Sequence, residues 1–414
     1  LSLQKLESQS KDISSFPVLT VIALVLGIFL AGSEELIVSP LLPDLSLSFN
    51  STIDIVGLSV SIYGLAIILG ATLLTPVGDR FSRRINMLIG LLIFTFGTTL
   101  CVIAPHLMIF FIGRALCGLA AGAFVPTAYA FVADQIPYKH RSKVMGLIVS
   151  SWSLSLILGV PMGAFIGQWL NWRWTFALFS LLGVFVSILI IIDILRHIGV
   201  DKPSSLHVKQ KDSVLTSYYK AFTSQNVPLL IGITFCNMIG FYGMYTYLGS
   251  YLRSVFSSEQ SVVGTLIIIY GLGFATSSIS GKYADRIGKE ISLVGTMLVM
   301  AVLIGVLPHA TYFMLPLILC LFLWGMFQSL TVTLLSTMLS ECSSQYRGRI
   351  LAMYTLATNL AVTLGAAFLG PVYSNYGYYN VSLICAILTF IGFLVSLFIY
   401  KYKIKDTEYI SNED

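Results

Sequence analysis

Long apolar runs dominate this chain, and short polar bridges separate them at nearly regular intervals. A helix crossing the hydrocarbon core of a bilayer needs roughly 20 mainly apolar residues. Runs of that kind fall near 18–41, 52–75, 85–104, 107–132, 144–169 and 174–195, and resume near 226–250, 260–281, 291–308, 312–339, 348–372 and 378–400. The pattern predicts an all-α membrane protein with twelve transmembrane helices. Many runs contain glycine, which lets helices approach closely in lipid. Scattered prolines mark kinks, where freed backbone groups need protein or water partners.

Composition agrees with lipid as the main solvent. Of 414 residues, 56% are hydrophobic and 10% charged, against about 25% charged in a typical globular chain. The net charge of +5 is spread over the bridges between runs rather than gathered in one patch, so no nucleic-acid partner is predicted. The segment Leu1 to Pro17 is polar and mixed in charge, unlike the basic leader of a signal peptide, so the first run reads as a retained span. With a cytoplasmic N-terminus, 21 of the 24 lysines and arginines fall on the cytoplasmic side. The positive-inside rule therefore places both termini in the cytoplasm of a cell whose inner (plasma) membrane holds the protein.

The longest polar stretch separates six spans from six. The expected organisation is an N-terminal six-helix bundle over residues 1–195, a cytoplasmic linker over 196–225 with a short amphipathic helix near Val214–Phe222, and a C-terminal bundle with a tail over 226–414. Thirty residues are too few to bury a core of their own. The Asp79-Arg80 pair after span two recurs as Asp285-Arg286 after span eight, 206 positions on, and the same offset carries Arg141 onto Arg347. Two matches at one offset, half the chain long, argue for duplicated, pseudo-symmetric halves in parallel orientation.

The loop Asp79-Arg80-Phe81-Ser82-Arg83-Arg84 and its second-half counterpart, Gly281 to Lys289, resemble the signature loops of the major facilitator superfamily. Span four supplies Arg114-x-x-x-Gly118-x-x-x-Gly122, and span five supplies Gly159, Pro161 and Gly163 followed by Gly167 to Trp174. These stretches resemble the twelve-span drug and sugar proton antiporters of that superfamily, although Val160 separates a Gly-Pro pair that is ordinarily adjacent. The resemblance covers the chain from about Pro17 to Tyr400 and implies alternating access without enzymatic chemistry or cofactor. A carboxylate at a helix end beside an arginine forms charge-assisted contacts with neighbouring helices. Asp79, Arg80, Arg83 and Arg84 are therefore expected to gate the outward-open state, with Asp285 and Arg286 as partners and Asp134, Arg141, Glu341 and Arg347 in the same charge network.

Charges inside apolar runs are more selective. Span one carries Gly32-Ser33-Glu34-Glu35 between long apolar flanks, and neighbouring helix positions point about 100° apart, so the two carboxylates should meet different surroundings. An unpaired carboxylate in low dielectric favours its protonated form. Glu35 aligns with the span-one glutamate of the antiporters and is expected to carry the proton, with Glu34 secondary and Arg114 as the electrostatic modulator. Neutral candidates for the substrate cavity are Tyr63, Tyr129, Asn237, Tyr242, Tyr245, Tyr270, Trp324, Gln328 and Asn359, which offer aromatic faces and hydrogen bonds to an amphipathic solute.

Enzyme readings find no support. The five histidines lie at loops or span ends, away from cysteine or carboxylate at ligand spacing, so no metal site is predicted. No phosphate-binding Gly-Lys-Ser or Gly-Lys-Thr occurs. The expected activity is proton-coupled export of a small organic compound by a monomer whose partners are substrate, protons and lipid. Uptake of a polar nutrient, or flipping of a lipid-linked solute, is the alternative.

Overall fold

In the computed structural model of the protein, residues 17–74, 82–196, 214–256, 260–276 and 286–411 are described. Among them, eleven helices are long and apolar enough to cross a membrane. The first span is broken into Val18–Leu36 and Val38–Ser48; Ile53–Leu74, Arg83–Ile103, Leu107–Gln135, Tyr138–Trp169 and Trp172–Arg196 follow. The second half contributes Val227–Phe256, the shorter Gln260–Ala275, Lys289–Ala310, Met314–Glu341, Arg347–Tyr376 and Tyr378–Ser411. The protein is thus an all-α, multi-pass membrane protein, and its spans fall where the apolar runs do.

Prolines explain the two irregularities nearest the centre. Pro40 offers no N–H to the carbonyl of Leu36, and its ring crowds that carbonyl, so the first span breaks at Ile37 directly after Glu34 and Glu35. Pro161 does the same to Ile157, and the fifth span widens there into a π turn over Ser155–Gly159. Ser155 Oγ donates to the carbonyl of Phe29 at 2.8 Å, fastening that turn to the first span. The arginine–glycine motif of span four works through backbone approach. A Cβ at Gly122 would strike the carbonyl of Ile67, so the second and fourth spans pack backbone to backbone.

The spans pack as two bundles. In the first, the third and fourth, third and sixth, and second and fourth lie side by side; in the second, the ninth and twelfth, seventh and twelfth, and eighth and tenth do so. The second span meets the eleventh, the fifth meets the eighth, and the first meets the seventh across the bundles. Helix Val214–Phe222 of the intervening segment rests on the eleventh span with Ser217 and Ala221 buried.

The 206-residue register reappears in side-chain contacts. Arg83 pairs with Asp134 at 3.4 Å, tying the start of span three to the end of span four. Lys289, 206 positions after Arg83, pairs with Glu341 at 2.5 Å, tying span nine to span ten. Ser39 Oγ donates to the carbonyl of Tyr245, its own counterpart at that offset, at 2.5 Å. The first and seventh spans therefore cross at equivalent points, on the pseudo-twofold axis.

Candidate functional site

Glu34, Glu35 and Arg114 are all buried, the first and last completely. Arg114 Nη1 donates to Glu34 Oε1 at 3.0 Å and to the Glu34 carbonyl at 2.7 Å. Its guanidinium lies over the Tyr63 ring, 4.4 Å from the centroid, and the Tyr63 hydroxyl donates to the carbonyl of Ala31 at 3.0 Å. One ion pair, stacked on one ring, thus links spans one, two and four inside the first bundle. Glu35, one position on, points elsewhere: Tyr242 of span seven donates its hydroxyl to Glu35 Oε1 at 2.5 Å. The two carboxylates belong to different networks, and only that of Glu35 crosses between bundles.

Further polar contacts join the bundles from Glu35 toward one face. Ser39 accepts from the Gly249 N–H at 3.3 Å while donating to Tyr245. Asp44 pairs with Arg253 at 2.5 Å, and Ser374 donates to Asp54 at 3.0 Å. Phe241 to Leu252 are buried without interruption, as are Leu36 to Leu42. This face, called here the Asp44 face, is closed. Toward the opposite, basic face, the fifth span from Tyr138 to Leu154 buries only Val144, Ile148 and Ser151.

The neutral candidates divide by partner. Asn237 and Gln328 exchange two amide hydrogen bonds, at 3.2 and 3.1 Å, and lie buried between spans seven and ten. Asn359 donates to its own span at Thr355 O, 2.9 Å. Tyr129 is half-buried in span four. Tyr245, Tyr270 and Trp324 pack around Phe241 with ring centroids 5.5 to 5.9 Å from it. Their hydroxyls and indole N–H are buried without a hydrogen-bond partner in the protein, at a cost of about 1–3 kcal/mol each. At the 206-residue offset, Phe241 stands where the first half has Glu35, Gly240 where it has Glu34, and Cys320 where it has Arg114. The second bundle thus replaces the charged cluster with aromatic rings.

Of the residues expected to gate, Asp79, Arg80 and Asp285 lie outside the described residues. Arg83 and Asp134 form one pair, and Glu341 pairs with Lys289 rather than with a residue of the other bundle. Arg141 donates to the carbonyl of Ile136 at 3.4 Å and Arg347 to that of Ser340 at 2.9 Å, each closing the helix before it. Arg286 is exposed. Arg84 is buried and pairs with Asp193 at 2.6 Å, and Thr20 also donates to Asp193. Gly159 and Gly163 lie under span one, where a Cβ would meet Ser33 and Ile37 respectively, and Pro161 between them sets the π turn that ends at Gly159. Sequence reasoning passed over Asp193, Asp44 and Arg253. Asp193 interrupts Ile190-Ile191-Ile192 and Ile194-Leu195, a signal of the same kind as Glu34.

Two helical bundles meeting around a buried glutamate, closed on one face, suit a membrane transporter rather than an enzyme. The sequence model of the Major Facilitator Superfamily matches residues 24–341 and 256–412, and the chain belongs to that family. It is 53% identical over 397 residues to the MFS-type transporter YwfA of Bacillus subtilis (strain 168), covering 95% of this chain and 96% of that one. It is 24% identical over 392 residues to a probable sugar efflux transporter of Pasteurella multocida (strain Pm70), with 92% of each covered. Among solved structures, the human organic anion transporter MFSD10 (TETRAN) shares the fold, with a TM-score of 0.69 at 19% identity, over 92% of this chain and 99% of that one.

Proposed function

We propose that this transporter exports a small organic, amphipathic compound by alternating access, driven by protons that enter through Glu35. The observation that carries this reading is the hydrogen bond from Tyr242 to Glu35, because it makes the surroundings of a buried carboxylate depend on how the two bundles sit. While the Asp44 face is closed, the Tyr242 hydroxyl favours the ionised carboxylate. Opening that face parts spans one and seven and withdraws the hydroxyl. Glu35 then stands in low dielectric without a partner and takes up a proton from that side. Closing the face restores the donor, and the proton leaves toward the basic face.

Orientation follows from charge. The basic face carries nearly all lysines and arginines and is assigned to the cytoplasm, with both termini, in the cell's inner (plasma) membrane. On this reading the closed Asp44 face is the outer one and the arrangement is inward-facing. Glu34 and Arg114 keep their ion pair within one bundle and tune the potential at Glu35 without exchanging partners. Aromatic and amide groups of the second bundle, with Tyr129 and Tyr63 of the first, shape the solute path. Asp79, Arg80, Asp285 and Arg286 at the basic face brace the outward-open state, while the Arg83–Asp134 and Lys289–Glu341 pairs hold neighbouring spans within each bundle. A single chain provides both bundles, so the transporter works as a monomer. The relative named for sugar efflux supports the outward direction.

The test uses everted vesicles whose lumen has been acidified. A true substrate should drive protons out of the lumen as it accumulates there. Accumulation that persists after the proton and electrical gradients are both collapsed would sink active antiport.

A further inference from the structure

Beyond the contacts that close the Asp44 face, the bundles form an open surface depression of about 670 Å³, of a size that suits small-molecule sites. It lies away from the Glu35 network, and both bundles build it. Ser46 comes from the end of span one, Ser51 and Thr52 from the turn that follows and Ile53 from the start of span two; spans seven, eleven and twelve and the Gly377 turn supply the rest. No charged side chain lines it.

Its wall is aromatic, and five of its hydroxyls have their protons committed within the protein. Tyr251 stacks on Tyr378 at 4.3 Å with rings 13° apart, and Tyr373 meets Tyr378 edge-on at 6.3 Å. Ser46 donates its proton to the carbonyl of Ser51 at 2.6 Å and Ser254 to that of Tyr251 at 2.7 Å. Ser374 donates to Asp54, Tyr251 to Pro308 O at 3.1 Å and Tyr378 to Met244 O at 3.0 Å. A hydroxyl has one proton and two lone pairs, so these oxygens have given their donors inward and present lone pairs to a ligand. A ligand rich in hydroxyl donors, with a flat apolar face for the tyrosines, suits these lone pairs. An ammonium also brings donors, but the nearest carboxylates, Asp44 and Asp54, are already held by Arg253 and Ser374.

We propose that this cavity binds a neutral, hydroxyl-rich ring such as a glycosyl unit, entering from the Asp44 face. Because both bundles contribute walls, occupancy stabilises the closed face and slows the cycle from outside. Binding there does not depend on proton coupling.

The probe is methyl glucoside, and the readout is saturation-transfer difference NMR on the full-length protein in lipid nanodiscs. Transfer to the ring protons is expected, and it should disappear in Ser254→Trp, which fills the cavity from an exposed position. Ser46→Tyr fills it from the other bundle and serves if Ser254→Trp does not fold. At a glucoside concentration twice its Kd, thiol labelling of Ser250→Cys from the Asp44 face should slow about 3-fold, as linkage requires. Absent transfer, transfer that survives both filling variants, displacement by spermidine, or unchanged labelling would each overturn the proposal.

Discussion

Tyr242 and Glu35 are 207 positions apart in the chain and 2.5 Å apart in space, the hydroxyl of one bundle donating to the carboxylate of the other. A charge-assisted hydrogen bond of this kind contributes about 1.5–3 kcal/mol, so its presence or absence shifts the balance between closed and open faces by about 10- to 100-fold.

The first prediction concerns pH. Raising pH ionises Glu35 and favours the closed Asp44 face; lowering pH protonates it, weakens the bond and favours opening. Labelling of Ser250→Cys should therefore quicken as pH falls. Tyr242→Phe keeps the ring that packs at 4.8 Å on Phe241 and removes the donor, so labelling at high pH should rise by at least about 10-fold. Glu35→Gln should lose substrate-induced proton movement altogether. Full proton movement in Glu35→Gln with loss in Glu34→Gln would hand the principal role to Glu34.

A second prediction separates Glu34 from Glu35. Arg114→Met strands a buried carboxylate and should lower stability by about 3–5 kcal/mol, most of it regained when Glu34→Gln is added. Thermal unfolding of the three variants in one detergent measures this. Additive losses in the double variant would mean that the ion pair at 3.0 Å is not the reason for the first loss.

Gly249 gives a steric test of closure. A Cβ there would run into the backbone of Ser39, with Pro40 Cα at 2.8 Å, so Gly249→Val should hold the first and seventh spans apart and leave the Asp44 face open to thiol reagents. Gly146, where a Cβ meets nothing within 4 Å, provides the matched control, and Gly146→Ala should transport normally. Equal labelling in both variants would show that the glycine contact does not control the face.

The Asp44–Arg253 pair should matter less than its short distance suggests. Its side chains are 23% and 29% exposed, and pairs of that kind contribute about 0–1 kcal/mol. Arg253→Gln should shift the labelling equilibrium by no more than about 5-fold, and the shift should shrink with added salt. A larger, salt-insensitive effect would assign the pair a stronger role as a latch.

The spans were readable because each apolar run must satisfy its backbone within one helix, which fixes length and type together. The duplication was readable for a similar reason, since a shared offset leaves its mark on loop residues such as Asp79 and Asp285. Within the site, Glu34, Glu35 and Arg114 stood out as charges among apolar neighbours, and the 100° step between successive helix positions announced that the two glutamates would differ. Their partners were not legible. Nothing local to Tyr242 distinguishes it from Tyr245 or Tyr247, because its partner lies in the other bundle. Asp44 and Arg253 looked like ordinary loop-end charges, and only the crossing of spans one and seven brings them together.

That crossing also bears on why the two bundles share one chain. With a pair of identical bundles, a second copy of Glu35 would stand at the place of Phe241, next in the chain to the Tyr242 that donates to the first, adding a second carboxylate to a medium of low dielectric. Covalent fusion lets the copies drift independently. Phe241 and Cys320 now occupy the places of Glu35 and Arg114, so the second bundle brings no acid of its own to the crossing.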